Sequence, residues 1–307
     1  MSLLALLLAL PALTAAPTLS PSPGAALQEV ALDMAPLAFD DRYRGCGPAM
    51  AAALPALNRS EFLLNGDFAA GWALAAAEWR VRGSPAPPKS PLPPAQAVAL
   101  LAYTAPVPLH RAFNAASRVA GRSPRHYRDG FPFKALHFLL SAALAALRDA
   151  QGRPCHRVFR GVRGVRFAAR PGRSVRFGHF ASASRRNRSS WAFGSDTVFH
   201  VRTCHGAAVR DFSFFPDEDE VLIPPFETFE VTQVAEVAAG AGAGVRIWLR
   251  STGTLSNYNC EWLREQHCGD RDGPCVFDAG RSILGDPPAL GGLLLVTAAL
   301  AVATGTP

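Results

Sequence analysis

The chain has 307 residues, 49% hydrophobic and 18% charged, with 31 Lys and Arg against 24 Asp and Glu. That balance excludes a disordered, collagenous or low-complexity chain and allows a sizeable core. The net charge of +7 is almost all arginine, Lys89 and Lys134 being the only lysines, and without a basic block it argues against nucleic acid while favouring an anionic ligand.

The mean hydropathy of +0.10 is high for an enzyme, and the excess lies in the two ends. Residues 3–10 are an unbroken run of Leu and Ala. Such a run is too short to span a bilayer and reads as part of a secretory signal peptide over residues 1–26, with small residues suited to cleavage after Ala15 or Ala26. The body, residues 27–278, opens helically. Gly47-Pro48 begins an Ala-rich segment to residue 57, since Pro is tolerated in a first turn. Ser60 is placed to cap a second helix over 61–81, with Phe62, Phe68, Trp72 and Trp79 on its buried face. Residues 83–94 are rich in Pro and Ser and read as a loop. Periodicity then predicts helices over about 108–120 and 131–150.

After Cys155 the pattern changes to period two. Strands are predicted over 157–161, 175–180, 197–203, 209–215, 221–223, 227–234 and 245–250. The Ala/Gly alternation over 238–244 is a loop, and with no G-x-G-x-x-G it does not make a Rossmann unit. The fold class is α+β, an N-terminal helical part followed by a compact, mostly antiparallel two-sheet core. At the far end, Asp278-Ala279-Gly280 is a small-residue triplet, followed by a spacer and an apolar run over 289–303. That order matches a glycosylphosphatidylinositol (GPI) attachment signal, with Asp278 as the attachment residue and 279–307 as the discarded propeptide. A membrane span is the weaker reading, because no Lys or Arg follows the run.

The six cysteines are Cys46, Cys155, Cys204, Cys260, Cys268 and Cys275. An even count behind a signal peptide implies three disulfides, with every pairing open at this point. No C-x-x-C favours zinc, and Cys268 is close enough to Cys275 to pair locally. Asn58 and Asn187 each begin an N-x-S glycosylation acceptor.

Three short segments carry the chemistry: Val158-Phe159-Arg160-Gly161, Phe180-Ala181-Ser182-Ala183-Ser184 and Glu218-Asp219-Glu220-Val221. Singly they are a surface arginine, turn-forming serines and a solvated acidic loop. Together they resemble the Arg…Ser-x-Ser…Glu-x-Glu signature of the arginine-specific mono-ADP-ribosyltransferases of the vertebrate cell surface. The resemblance extends through Phe39-Asp40-Asp41, Leu101-Ala102-Tyr103-Thr104-Ala105, Phe133-Lys134-Ala135-Leu136-His137-Phe138 and Tyr258-Asn259-Cys260.

This resemblance implies NAD or NADP as a substrate, no metal, protein arginines as acceptors, and a lipid anchor on the outer face of the plasma membrane. Nicotinamide leaves without a general acid, unlike the leaving group of a sugar hydrolysis. Glu220 is then the carboxylate that stabilises positive charge developing on the ribose. Arg160 would hold the phosphate and ribose portion with its planar fork of donors. Gly161 would let the backbone approach the nicotinamide amide, and Ser182 would position the ribose and Glu220. Tyr103 and Ser213 are further NAD contacts on the family's pattern. Glu218, two residues from Glu220 and so on the same side of a strand, would orient the incoming guanidinium. The resemblance also pairs Cys46 with Cys260 and Cys155 with Cys204, leaving Cys268 with Cys275.

One departure is the basic segment Arg185-Arg186-Asn187-Arg188-Ser189-Ser190-Trp191. A glycan on Asn187 would obstruct NAD or the acceptor there, and Trp191 or Phe193 would either stack on the nicotinamide or sit in the core. Two alternatives stand beside the transferase: an NAD glycohydrolase, in which water intercepts the cation, and a catalytically silent surface binding module.

Overall fold

The computed structural model describes residues 27–82, 90–187, 194–237 and 244–268. The signal peptide, the C-terminal tail with Asp278 and Cys275, residues 238–243, and Trp191 and Phe193 lie outside them.

After a short strand, β1 (Gln28–Ala31), come six helices: α1 (Gly47–Leu64), α2 (Gly66–Val81), α3 (Pro94–Thr104), α4 (Leu109–Ala120), α5 (Pro124–Gly130) and α6 (Lys134–Ala150). Ser60 does not cap a helix. Its hydroxyl bonds back to the Leu57 carbonyl at 2.9 Å, as a helix-interior serine does, and α1 runs on to Leu64. Asn65 is the cap instead, its side chain accepting from the Phe68 amide at 3.1 Å. Helix α3 has no polar face to give it a period, since every residue from Ala97 to Thr104 is buried.

The strands follow as β2 (His156–Val162), β3 (Val165–Ala168), β4 (Ser174–Val175), β5 (Ala181–Ser184), β6 (Thr197–Thr203), β7 (Ala207–Ala208), β8 (Glu220–Ile223), β9 (Glu227–Val237) and β10 (Gly244–Thr254). Strand β1 (Gln28–Ala31) pairs in parallel with β3 as a small separate sheet, and α7 (Glu261–Cys268) closes the described chain. The main sheet has the order β4-β9-β10-β6-β2-β5-β8-β7, antiparallel except between β6 and β10. Its two parts, β4-β9-β10-β6-β2 and β5-β8-β7, meet through a single registered pair, Phe159 with Ser184. That seam is where the site forms.

Two predicted strands are largely absent. Over 175–180 only Val175 pairs. Gly178 takes φ +66°, and a Cβ there would lie 2.4 Å from the Ala35 methyl, so the chain turns tightly under the N-terminal segment. Over 209–215 the chain makes a 3₁₀ turn at Arg210–Phe212.

A buried ion pair joins these parts. Arg176 and Asp40 have no side-chain exposure and meet at 2.5 Å. Arg176 also donates to the carbonyls of Met34, Ala35 and Leu255, and Asp40 also accepts from the Asn257 and Tyr258 amides. Next to it, Asp41 accepts from the amides of Tyr43, Cys260 and Glu261, beside the Cys46–Cys260 disulfide. A second disulfide, Cys155–Cys204, joins the start of β2 to the residue after β6.

Removing one partner of a buried pair leaves an uncompensated charge. Asp40→Asn is expected to cost about 3–5 kcal/mol, a fall in Tm on the order of 10 °C. Thermal denaturation of the variant checks this, and a shift below about 2 °C would remove the pair from its structural role.

Candidate active site

Strands β2, β5 and β8 bring the three sequence segments to the seam. Arg160, next to last but one in β2, donates from Nη1 to the Ser182 carbonyl of β5 at 2.6 Å, so the guanidinium bridges strands that share only one registered pair. Glu220 opens β8 directly opposite Ser184 of β5. It is 6% exposed, and its Oε2 lies 3.5 Å from the fully buried Ser213 hydroxyl. Ser182 acts on both Glu220 and Tyr103, favouring the ionised form of each.

Tyr103, Arg160, Ser182, Ser184 and Glu220 line a cleft of about 750 Å³. Its wall carries Arg111, Arg118, Arg160 and Arg163 together with Glu218 and Glu220. Gly161 lies on the same wall. Tyr103 reaches the cleft from the end of α3 but is 3% exposed, and its hydroxyl is engaged: it donates to the Phe180 carbonyl at 2.7 Å and accepts from Asn114 Nδ2 at 3.0 Å. Tyr103 is therefore tied to the backbone two residues before Ser182.

Glu218 is placed differently from the sequence expectation. It ends a 3₁₀ turn, Pro216–Glu218, and is not on the strand. Asp219 then takes a left-handed conformation, φ 48° and ψ 52°, before β8 begins. The argument that alternate residues share a strand face does not apply, because the left-handed residue breaks the period. Glu218 still lines the cleft, half-buried, while Glu220 is buried.

Helix α4 contributes groups that sequence reasoning missed. Arg111, Asn114 and Arg118 fall at i, i+3 and i+7 on one face, and all three line the cleft. The polar stripe of an amphipathic helix was the available signal. Arg118 donates to His179 Nε2 at 3.3 Å, while His179 Nδ1 donates to the Phe177 carbonyl at 2.6 Å, which fixes the neutral tautomer. Asn58 sits half-buried inside α1, and Asn187 is exposed just beyond β5. Among the described residues no group of three or more His, Cys, Asp or Glu is arranged to hold a metal.

A model of the NAD:arginine ADP-ribosyltransferase family matches residues 32–257. The chain belongs to that family. It is 50% identical to the GPI-linked NAD(P)(+)–arginine ADP-ribosyltransferase 1 of Oryctolagus cuniculus, over 90% of this chain and 86% of that one. It is also 50% identical to the erythroblast NAD(P)(+)–arginine ADP-ribosyltransferase of Gallus gallus, over 83% of each chain. The crystal structure of the eukaryotic mono-ADP-ribosyltransferase ART2.2 superposes with a TM-score of 0.64 at 34% identity, covering 76% of this chain and 98% of that one. Mutants of ART2.2 have been solved in complex with NADH and with NAD.

In this ADP-ribosyltransferase the electrostatics of Glu220 follow from its position. Burial pushes its carboxyl up to about 7, and the nearby Glu218 adds a like-charge push. Hydrogen bonds from Ser182 and Ser213 and the Arg160 charge act the other way. Burial also raises Glu218.

A carboxyl raised from 4.5 to about 7 favours folding in its protonated form, and that advantage is lost as pH rises through 7. Glu220→Gln cannot ionise. The variant is expected to gain up to about 3 kcal/mol over the parent at pH 8 and almost nothing at pH 4. Chemical denaturation at the two pH values measures this; an equal change at both would show that the carboxylate is not held at a cost.

Proposed function

We propose that the chain transfers ADP-ribose from NAD or NADP to the guanidino group of arginine in proteins and releases nicotinamide. The observation that carries this reading is the buried Glu220 carboxylate beside Ser182, Ser213 and Arg160 in a cleft whose lining also carries Arg111, Arg118 and Arg163. Its chemistry fits NAD at both ends. Arginines suit a diphosphate, and a lone buried carboxylate suits the cationic pyridinium and the ribose carbon that inherits its charge.

In the reaction the bond between the ribose C1′ and the nicotinamide nitrogen breaks, and its electron pair leaves with nicotinamide as a neutral base. Positive charge develops on the ribose, where Glu220 stabilises it as an anion in a poorly solvated setting. Ser182 and Ser213 both act on Glu220 in favour of its anion. Arg160 is already aligned by the Ser182 carbonyl and offers its remaining donors to the cleft. The acceptor nitrogen then bonds to C1′ and gives up one proton. Glu218, half-buried at the mouth and lifted by burial, orients the guanidinium and takes that proton.

Each glutamate has its own signature. Glu220→Gln should bind NAD while losing at least about a hundredfold in kcat. Glu218→Gln should keep NAD hydrolysis and lose transfer to agmatine by a similar factor. Parallel loss of both reactions in Glu218→Gln would merge the two roles. Steady-state assays of nicotinamide release with and without agmatine separate these outcomes.

We also infer that a leader within residues 1–26 is removed, by cleavage after Ala15 or Ala26, and residues 279–307 as a propeptide, leaving a lipid anchor at Asp278 on the outer face of the plasma membrane. The order of small triplet, spacer and uncharged apolar run supports this, as does the name of the GPI-linked relative in Oryctolagus cuniculus. Phosphatidylinositol-specific phospholipase C should release active enzyme from intact cells. Enzyme that stays on the membrane with a C-terminal peptide ending at Pro307 would contradict it.

A further inference from the structure

We propose that Arg185 is a positioning residue that sets Glu218 for the acceptor, through Asp219 and independently of Glu220; the proposal rests on the acceptor role given to Glu218 above. The turn carrying Glu218 and Asp219 belongs to no strand, and it packs on the three residues that end and follow β5. The Ser184 hydroxyl donates to the Glu218 carbonyl at 2.5 Å and accepts from the Arg186 amide at 2.9 Å. The Arg185 amide donates to the Asp219 carbonyl at 3.2 Å. The Arg185 guanidinium places Nη1 3.6 Å from Asp219 Oδ1, while its Nη2 donates to His156 Nδ1 at 2.9 Å.

The fork of Arg185 thus spans from β2 to the one left-handed residue between the two glutamates. A non-glycine residue at φ 48° is held against its own preference by its surroundings, and Asp tolerates this better than most. His156 is the fixed end of the fork. It is 6% exposed, and because a guanidinium only donates, Nδ1 must accept and the ring must be neutral. Its proton sits on Nε2, which is buried and has no hydrogen-bond partner among the described residues. The charged groups acting on His156 are Arg185 and Asp219, and both belong to this chain of contacts.

Glu220 does not depend on the fork. It is held by the β5–β8 ladder, by Ser182 and by Ser213. The Arg185 and Asp219 side chains are 39% and 24% exposed, so their pair adds little to folding stability. Its effect is geometric. A small displacement of Glu218 misaligns the incoming nitrogen, and misplacements on the order of 1 Å can cost two orders of magnitude in rate.

The test measures agmatine ADP-ribosylation and NAD hydrolysis side by side for the parent, Arg185→Ala, Asp219→Asn, their double variant and Glu218→Gln, with Tm for each. Arg185→Ala should lower transfer kcat/KM for agmatine about tenfold or more, with NAD hydrolysis within about twofold and Tm within about 2 °C of the parent. Asp219→Asn should behave alike, and the double variant should be no worse than either single one. Arg185→Lys keeps the charge but not the two-ended fork, and should fall between parent and Ala. Unchanged transfer in Arg185→Ala, equal loss of transfer and hydrolysis, or additive losses in the double variant would each overturn the proposal. If Glu218→Gln loses transfer and Arg185→Ala does not, only the positioning role falls. If Glu218→Gln itself keeps transfer, the acceptor role of Glu218 falls and takes this proposal with it.

Discussion

The buried Arg176–Asp40 pair is the constraint on which the rest of the molecule depends. Removing two charges from water is costly, and here the cost is offset because nearly every donor and acceptor on both groups is used. The partners come from three distant stretches: 33–41, 176 and 255–258. Folding these stretches together puts Cys46 against Cys260 and presses Gly178 under Ala35 and Ala38. The short crossing from Arg176 to Phe180 then has one path. It ends with the Phe180 ring among Tyr103, Phe113 and His137 and the Phe180 carbonyl on the Tyr103 hydroxyl. Ser182 begins two residues later, so a salt bridge distant from the chemistry fixes the register of the strand that carries it.

The sheet is weakest where the chemistry sits. Strands β2 and β5 share one registered pair, and Arg160 completes the joint with a side chain in place of a ladder. A fully paired seam would have closed the cleft. The parting also admits a buried carboxylate, and burial lifts Glu220 to about 7 against the opposing pull of Ser182, Ser213 and Arg160. That is an energetically poor site for an anion and a good one for a cation. A ligand that brings positive charge to it relieves the strain most when the charge is fully developed.

Much of this was legible in the sequence. Period-two alternation placed β6 at its observed bounds, and helix periodicity placed α4 and α6. What stayed hidden lacked a local signal. Helix α3 is apolar on all sides, so no period marks it. Helix α2 begins at Asn65 because the Ser60 hydroxyl turns back to Leu57, a choice made by geometry that a capping preference cannot reveal. The stretch 175–180 reads as a strand, yet long-range contacts of Arg176 and the positive φ of Gly178 override that propensity. In the site, Arg160, Ser182 and Glu220 were accessible as motif residues. The stripe Arg111, Asn114 and Arg118 was visible as helix periodicity but had no meaning until α4 was seen to wall the cleft.

The two glutamates show how much one backbone torsion can decide. Had residues 218–220 continued as a strand, both carboxylates would have pointed into the same buried space, and like charges there resist joint ionisation. Asp219 at φ 48° prevents this by ending a 3₁₀ turn immediately before β8. Glu220 is carried into the sheet, and Glu218 remains at the cleft mouth. One carboxylate is thereby buried, while the other stays partly exposed to solvent. The same residue type thus acquires two environments within three positions, and the left-handed residue between them is the one that Arg185 and its own backbone amide hold in place.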